Sequence, residues 1–530
     1  MVAEGYDAAG AAQTPTTGAN TLLALKNGYH HLVHQIEVQA GGKIVADSQP
    51  FTNVARNFKI LSQMTANELR NLAPSLGMAD TIDSSDAPAF FTAAAVSRPG
   101  VGLCNNTPYN STGVSVGAQS LPVARQNDGV ANGALAKRIA RVTSASATSS
   151  GVTTSKNIYG AAQTTAANAP FIATAQTLVN EFRPYYVLSG TKMVWYDVAI
   201  LPLRYLTDVM DKLGLVRKLD LQVRMYVNTG SLVVPVSITG TDSATLGLGF
   251  PSVNTFTNTC PMMINHVPSA TAAAANLNVA MTQIACGLYL ARVPTTSLPL
   301  STGTSNLSGP ASHPMPSCRA YYSQIKLDPS VAQKYITENS AKEIVFENFI
   351  FNQYNGIGAG TSFSQLVQSG IKNPLGILIV PFISSGQSRL IDNSTGSIGF
   401  SQFQSPYDTA PASNAPLSLT NLQVSLGGTS VLDSSSLYYT FESWLEQVSI
   451  AETIVPEMGL AQGILSQKDW ESLYRLYYVS LARGTEADKA TMRNLSISFT
   501  NNSAVAIDIL VFTFYLNRGV VNVETGLISM

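Results

Sequence analysis

Two stretches far apart in this chain spell one pattern. Residues 36–48 read Ile-Glu-Val-Gln-Ala-Gly-Gly-Lys-Ile-Val-Ala-Asp-Ser, and residues 422–434 read Leu-Gln-Val-Ser-Leu-Gly-Gly-Thr-Ser-Val-Leu-Asp-Ser. Six of the thirteen positions are identical, a seventh sets Ile36 against Leu422, and the offset is 386 residues throughout (422 minus 36). Apolar residues alternate into the Gly-Gly pair and out of it, which is how a strand, a tight turn and a second strand are written. A repeat of such long period signals a whole domain present twice, not a short-period solenoid. The expected fold is therefore all-β, with two similar sandwiches side by side in one polypeptide.

At 530 residues with 45% hydrophobic content, the chain has the material for two to four full cores. Charge is the unusual quantity. Asp, Glu, Lys and Arg make up 12% of the chain, against roughly 25% in soluble domains. Surface that carries no charge is often surface buried against a neighbour. The net charge is −1, and Lys and Arg form no run, so phosphate neutralisation and direct sequence-specific nucleic-acid binding are not expected. Met1 to Asn20 has neither a basic nor an apolar signal region, and no window approaches 18 apolar residues, so no leader or transmembrane segment is expected. Cys104, Cys260, Cys286 and Cys318 form no Cys-x-x-Cys pair. Neither a disulfide framework nor a zinc site is indicated, and reduced thiols are the default. The sequons at Asn110 and Asn393 then read as chance.

Leu22 to Val54 reads as strand, turn and strand, and Phe51 to Met78 as helix, with Phe58, Leu61 and Met64, then Leu69, Leu72 and Leu76, spaced by three and four within each group. Residues 79–168 and 240–278 are small and polar, and read as long surface insertions. Strands resume over Phe182 to Leu203, a short helix covers Arg204 to Gly214, and Leu219 to Val227 alternates as a half-buried strand. Pro294 to Pro316 holds five prolines and is the best linker, which divides the chain into an N-terminal roll over 1–312 and a C-terminal roll over 313–530. Strands are expected at Arg319–Leu327, Ile344–Tyr354, Leu375–Ile383, Leu417–Leu426, Tyr438–Val448, Tyr474–Ala482, Leu495–Thr500 and Ala506–Asn517. The last is apolar on nearly both sides, as a central strand covered on two faces would be. A short helix begins near Ser466 to Asp469. Eight strands with one short helix fit a jelly roll.

These residues resemble a known family. The Gly41-Gly42 turn with Asp47 and the helix behind it, the passage Asp197 to Leu206 leading to Lys218 to Arg224, and Trp470 to Arg483 are similar, in order, to motifs of double jelly-roll major capsid proteins of the adenovirus-like lineage. The likeness is greatest to polinton-like viruses and virophages. It implies a homotrimeric, pseudo-hexagonal capsomer tiling an icosahedral shell around double-stranded DNA. It also implies neighbouring capsomers, penton and minor capsid proteins as partners, and assembly inside the host cell into a virion. The first roll has only 40 residues ahead of its turn, so one or two early strands look missing. The 79–168 insertion could supply them, the chain could start late relative to a precursor, or the two turns could be non-equivalent.

Candidate chemistry is sparse. His30, His31 and His34 with Glu37 are the most ligand-like cluster, but on a strand His31 points away from the other two. The plainer reading is a polar subunit contact with mild pH sensitivity. Asp208, Asp211 and Asp220 near Arg204, Arg217 and Lys218 read as surface ion pairs. Glu442 and Glu446 flank Trp444 on an expected strand, resembling a sugar-stacking carboxylate pair, but about 13 Å between their Cα atoms exceeds glycosidase spacing. Gly356, Gly358 and Gly360 lack a phosphate-loop Lys, and Gly113-Val-Ser115-Val-Gly117 lacks the flanks of a nucleophile elbow. No catalytic, cofactor-binding or metal-ligating residue is assigned, and no enzyme activity is expected. The alternative to a capsid protein is a carbohydrate-binding or carbohydrate-cleaving β-sandwich.

Overall fold

A computed structural model describes residues 2–13, 21–25, 28–72, 186–235, 252–255, 262–266, 281–288, 319–383, 417–452, 463–482 and 491–529, with a few shorter breaks, together with 76 and a short hairpin near 395. The expected insertion over 79–168 and the linker over 294–316 lie outside the described residues.

The first half opens with β1 (Val2–Asp7), β2 (Ala12–Gln13) and β3 (Thr21–Leu25). A 3₁₀ turn at Tyr29–Leu32 leads to β4 (Val33–Ala40) and β5 (Lys43–Ala46), followed by helices α1 (Thr52–Gln63) and α2 (Ala66–Leu72). Then come β6 (Tyr186–Ser189), β7 (Lys192–Trp195), helix α3 (Val209–Lys212), β8 (Leu221–Val227), β9 (Gly230–Pro235), β10 (Ser252–Thr255), β11 (Met262–His266) and β12 (Met281–Gly287). The largest sheet runs β10-β9-β12-β1-β7-β6, with β2 beside β1; β5-β4-β8 and β11-β3 form two more. Two expectations need correction here. β1 lies within residues that carry no alternating pattern, yet it pairs on both sides, with β12 and β7, and so supplies an early strand that looked missing. The second insertion holds β10 and β11, which pair with β9 and β3.

The second half contains α4 (Pro329–Glu338), β13 (Ala341–Ile357), β14 (Ser362–Ile371) and β15 (Pro374–Ile383). A small hairpin of β16 (Asp392–Asn393) and β17 (Gly396–Ser397) precedes β18 (Leu419–Leu426), β19 (Thr429–Ser430) and β20 (Ser436–Tyr438). Helices α5 (Phe441–Glu452) and α6 (Gln467–Ser472) lead to β21 (Tyr477–Ser480), β22 (Arg493–Asn501), β23 (Ile507–Asn522) and β24 (Ile528–Ser529). One sheet runs β13-β23-β15-β21 and the other β14-β22-β18, with β20 on the far side of β18. Numbering the eight main strands along the chain gives 1-8-3-6 facing 2-7-4-5, the order a jelly roll produces when a long antiparallel ribbon folds over itself. β23 pairs along almost its whole length with β13, from Ala341↔Asn522 to Ile357↔Ile507, and is buried on both faces up to Phe514. Among the described strands no sheet mixes the two halves.

Two of the expected strands are not strands. Tyr438–Val448 is mostly α5: Phe441, Trp444, Leu445 and Val448 fall at helical spacing, with Trp444 and Val448 buried. Arg319–Leu327 has no regular secondary structure and joins no described strand. β14 and α4 are elements the sequence reading did not include.

The repeated motif is also a repeated register. Gly41 and Gly42 have φ of 56° and 78°, Gly427 and Gly428 63° and 83°. Ala40 pairs with Leu221 and Leu426 with Leu495, and the N–H of the following glycine donates to the carbonyl before each partner, Asp220 at 3.0 Å and Asn494 at 2.8 Å. A Cβ on Gly42 or Gly428 would meet nothing within 4 Å, so conformation alone requires glycine there. Gly42→Val or Gly428→Val should each cost about 1–3 kcal/mol, whereas Asn at either position should be nearly neutral. Chemical denaturation of the four variants checks this.

Candidate functional site at the seam between the two halves

The seam is built on α1. Its sequence puts Val54, Ala55, Phe58 and Leu61 on one stripe, and these bury into the core of the second half with Phe51, which precedes the helix. Phe58 stacks on Tyr478 of β21 at 5.1 Å and on Phe514 of β23 at 6.0 Å, while Phe51 meets Phe351 of β13 at 5.0 Å. The opposite face of β23 belongs to the sandwich interior, where Ile509 sits across from Tyr354 and that ring meets Phe363 of β14. The second half thus has one sheet with two apolar faces, and the first half covers one of them.

The end of α1 is closed by the same neighbour. Gly463 N–H donates to Met64 O at 3.1 Å and Ile464 N–H to Leu61 O at 2.9 Å, which satisfies carbonyls that a helix end leaves open. Gly463 has φ of 92°, and a Cβ there would lie 3.0 Å from Ser62 O.

Charge is concentrated in this dry contact. Lys59 and Arg56 of α1 both reach Glu347 of β13, Lys59 by a direct hydrogen bond and Arg56 at 3.9 Å, and all three are buried. Lys59 also stands 5.3 Å over the Phe514 ring. Asp208 Oδ2 accepts from the Glu347 N–H at 2.8 Å, so the loop before α3 holds the same residue through its main chain. Nearby, Ile344, Phe346, Val521 and Ile528 of the second half join Val33, Ile36, Val38, Leu206 and Val209 of the first in one cluster.

The histidines lie behind α1. His30 and His31 occupy the 3₁₀ turn, not a strand, with rings 4.0 Å apart, and both are buried within the chain. His30 Nε2 lies 3.2 Å from Asn57 Oδ1 of α1, the geometry of a neutral ring donating its proton. His34 instead packs edge-on against Phe51 at 5.0 Å, and Glu37 lies 3.6 Å from Arg224. The expected exposed subunit contact is therefore an internal one. Burial lowers the His30 pKa to about 4, with the Asn57 hydrogen bond working the other way, and burial lowers His34 too. Gly28, with φ of 105°, permits this placement, since a Cβ there would lie 2.3 Å from the His30 ring.

The remaining candidates separate. Asp208 serves the seam, not a surface ion pair; Asp211 pairs with Lys212 at 3.7 Å, and Asp220 contributes its carbonyl to the Gly41 turn. On the helix α5, Glu442 and Glu446 share a face while Trp444 points away into the core, so no sugar-stacking face forms. Gly356 and Gly360 belong to the β13–β14 connection: Gly356 N–H donates to Asp508 and Gly360 N–H to Asn501 O, while the buried Asn501 side chain donates to Ile357 O and Gly358 O. Gly113, Ser115 and Gly117 lie outside the described residues. Among the described residues no group of three or more His, Cys, Asp or Glu is placed to hold a metal, and no helix is long and apolar enough to cross a membrane.

No family model and no curated protein matches this chain. Solved structures do. PBCV-1 VP54, fitted into a reconstruction of the virophage Sputnik, is similar over 96% of this chain and 87% of its own, at 10% identity and a TM-score of 0.34. A chain of the Sputnik virophage is similar over 99% and 79%, at 9% identity and 0.36. The Faustovirus major capsid protein is similar over 97% and 76%, at 11% identity and 0.32.

Glu347→Ala would leave two buried cations without their partner and should cost about 3–5 kcal/mol, whereas Glu347→Leu combined with Lys59→Met and Arg56→Leu should recover most of it. Denaturant midpoints read both. Because His30 is held neutral in the fold, its contribution is complete above its unfolded value of 6.5 and is lost as pH falls from there to about 4. That loss is on the order of 3 kcal/mol, and Asn at position 30 should remove this part of the acid sensitivity in unfolding measured across the window.

Proposed function

We propose that this chain is a major capsid protein of the double jelly-roll type, with the halves meeting within 294–316 and boundaries near 1–312 and 313–530. Its activity is self-assembly, and it has no enzyme function. Three copies form a pseudo-hexagonal capsomer, since three chains of two rolls present six similar walls to their neighbours. Capsomers then tile an icosahedral shell with penton and minor capsid proteins around double-stranded DNA, and the chain resides in the virion.

The observation that carries this reading is the 1-8-3-6 facing 2-7-4-5 strand order of the second half, joined to a first half that repeats its Gly-Gly hairpin in the same register. Duplicated sandwiches welded by a shared helix make a rigid building block with two similar ends. The low charge of the chain suits surfaces that are covered by copies of itself. The carbohydrate reading loses its main support, because Trp444 is buried inside α5.

Purified protein should sediment as a trimer of about three times 56.2 kDa, or as larger particles with hexagonal outlines in negative stain. A stable 56.2 kDa monomer that binds glycans would overturn the proposal.

A further inference from the structure

The segment Arg319–Leu327 carries a strand sequence without a strand's partner. Tyr321, Ser323, Ile325 and Leu327 alternate with Tyr322, Gln324 and Lys326, yet among the described residues no main-chain hydrogen bond forms here. Tyr321 and Tyr322 are 85% and 86% exposed. Helix α4, which follows, buries none of its residues, and its Tyr335 hydroxyl reaches only the carbonyl of Leu215, at 3.3 Å.

Among the described residues one long edge also stays open. β14 ends its sheet and pairs only with β22 among the described strands. Natural edge strands are shielded by charge, proline or shortness, because a row of unpaired N–H and C=O groups will template another strand. β14 has none of these three: Ser-Phe-Ser-Gln-Leu-Val-Gln-Ser-Gly-Ile runs ten residues without a charge or a proline, and its irregularities are register shifts against β22 between Leu366 and Gln368 and between Gln368 and Ile371. The other edges of the second half differ. β20 and β21 are three and four residues long, and β13 carries Lys342, Glu343 and Glu347 and meets α3 and the first half at the seam.

We infer that the 319–327 segment of one chain adds as a strand to the open edge of β14 in a second copy of this chain. The lengths match, nine residues against ten. Arg319 and Lys326 meet no like charge on β14, and Leu366, 54% exposed, offers an apolar cross-strand partner to a tyrosine. Main-chain pairing and burial of the exposed tyrosine rings together supply the affinity, and the tyrosines set the register. This deepens the assembly reading and rests on it: the contact is one of those that join copies.

Hydrogen–deuterium exchange on the full chain, with and without Tyr321→Ser/Tyr322→Ser, tests it. In assembled protein, residues 319–327 and the outward amides of β14 should both exchange at least about tenfold more slowly than in dilute monomer. The double variant should abolish both effects while β22 keeps its protection. Free exchange of 319–327 in assembled protein, or protection of β14 that survives the double variant, would refute the contact and leave the capsid reading intact. Protection of both segments already in the monomer would mean pairing within one chain, which also refutes it. A chain that never assembles would overturn both readings.

Discussion

A sheet with two apolar faces cannot be finished by one partner. The β13-β23-β15-β21 sheet packs its inner face on its own sandwich mate, and Phe349, Phe351, Phe512 and Phe514 gather on the other side toward α1. Left bare, that face would expose several large rings, and burying one such side chain is worth about 1.5–3 kcal/mol. The first half supplies the cover through Phe51 and Phe58, and the second half returns the favour by closing the C-terminal end of α1 with Gly463 and Ile464. Each half therefore completes a structure in the other, and their relative orientation follows from packing, not from a linker.

Within this apolar contact, the Lys59–Glu347–Arg56 group plays a different part. Apolar stripes can slide by a helical turn at small cost, whereas two buried cations have one carboxylate to satisfy them, and Asp208 clamps the main chain of that same residue. Ion groups of this kind add little net stability over well-packed apolar substitutes, but removing one partner leaves a costly unpaired buried charge. Duplication set up the contrast between α1 and α5. Both follow a Gly-Gly hairpin, but α5 stays with its own half, where the Gln447 side chain accepts from the Ser480 N–H of β21 at 3.2 Å, while α1 crosses to the partner half. The helix after the first hairpin thus forms the joint, and the one after the second does not.

Much of this was legible in the sequence, and the exceptions have physical causes. The hairpins were readable because positive φ at two successive positions restricts the residue choice, and β23 because both faces are apolar. α5 was missed since aromatic and β-branched residues in Tyr438–Val448 imitate strand composition; carrying the 386-residue offset past the turn would have placed a helix over 438–449, beside the observed Phe441–Glu452. β1 was invisible because Val2–Asp7 is short and has no run of alternating apolar residues, and its place comes from neighbours far along the chain; Glu4, buried there, accepts from Thr191. The seam itself could not be read, as no local pattern distinguishes a Lys that meets solvent from one that meets a Glu 288 residues away.

The scarcity of charge then takes on a more specific meaning. The exposed pairs Arg518–Glu343, Lys334–Glu338 and Lys212–Asp211 lie at 3.6, 3.9 and 3.7 Å, and pairs of this kind contribute about 0–1 kcal/mol each. Ionic groups at the surface therefore do little to hold the chain together, and among the described residues the densely ionic contact is the internal one at Glu347. What the outer strands offer instead is Ser, Thr, Asn and Gln, as where Ser362 meets Thr500 at 3.2 Å and Gln368 meets Asn352 at 2.9 Å. Such side chains remain soluble alone and impose no repulsion on an approaching copy. On β14 such a surface leaves a long strand edge without the charge that would keep another strand away.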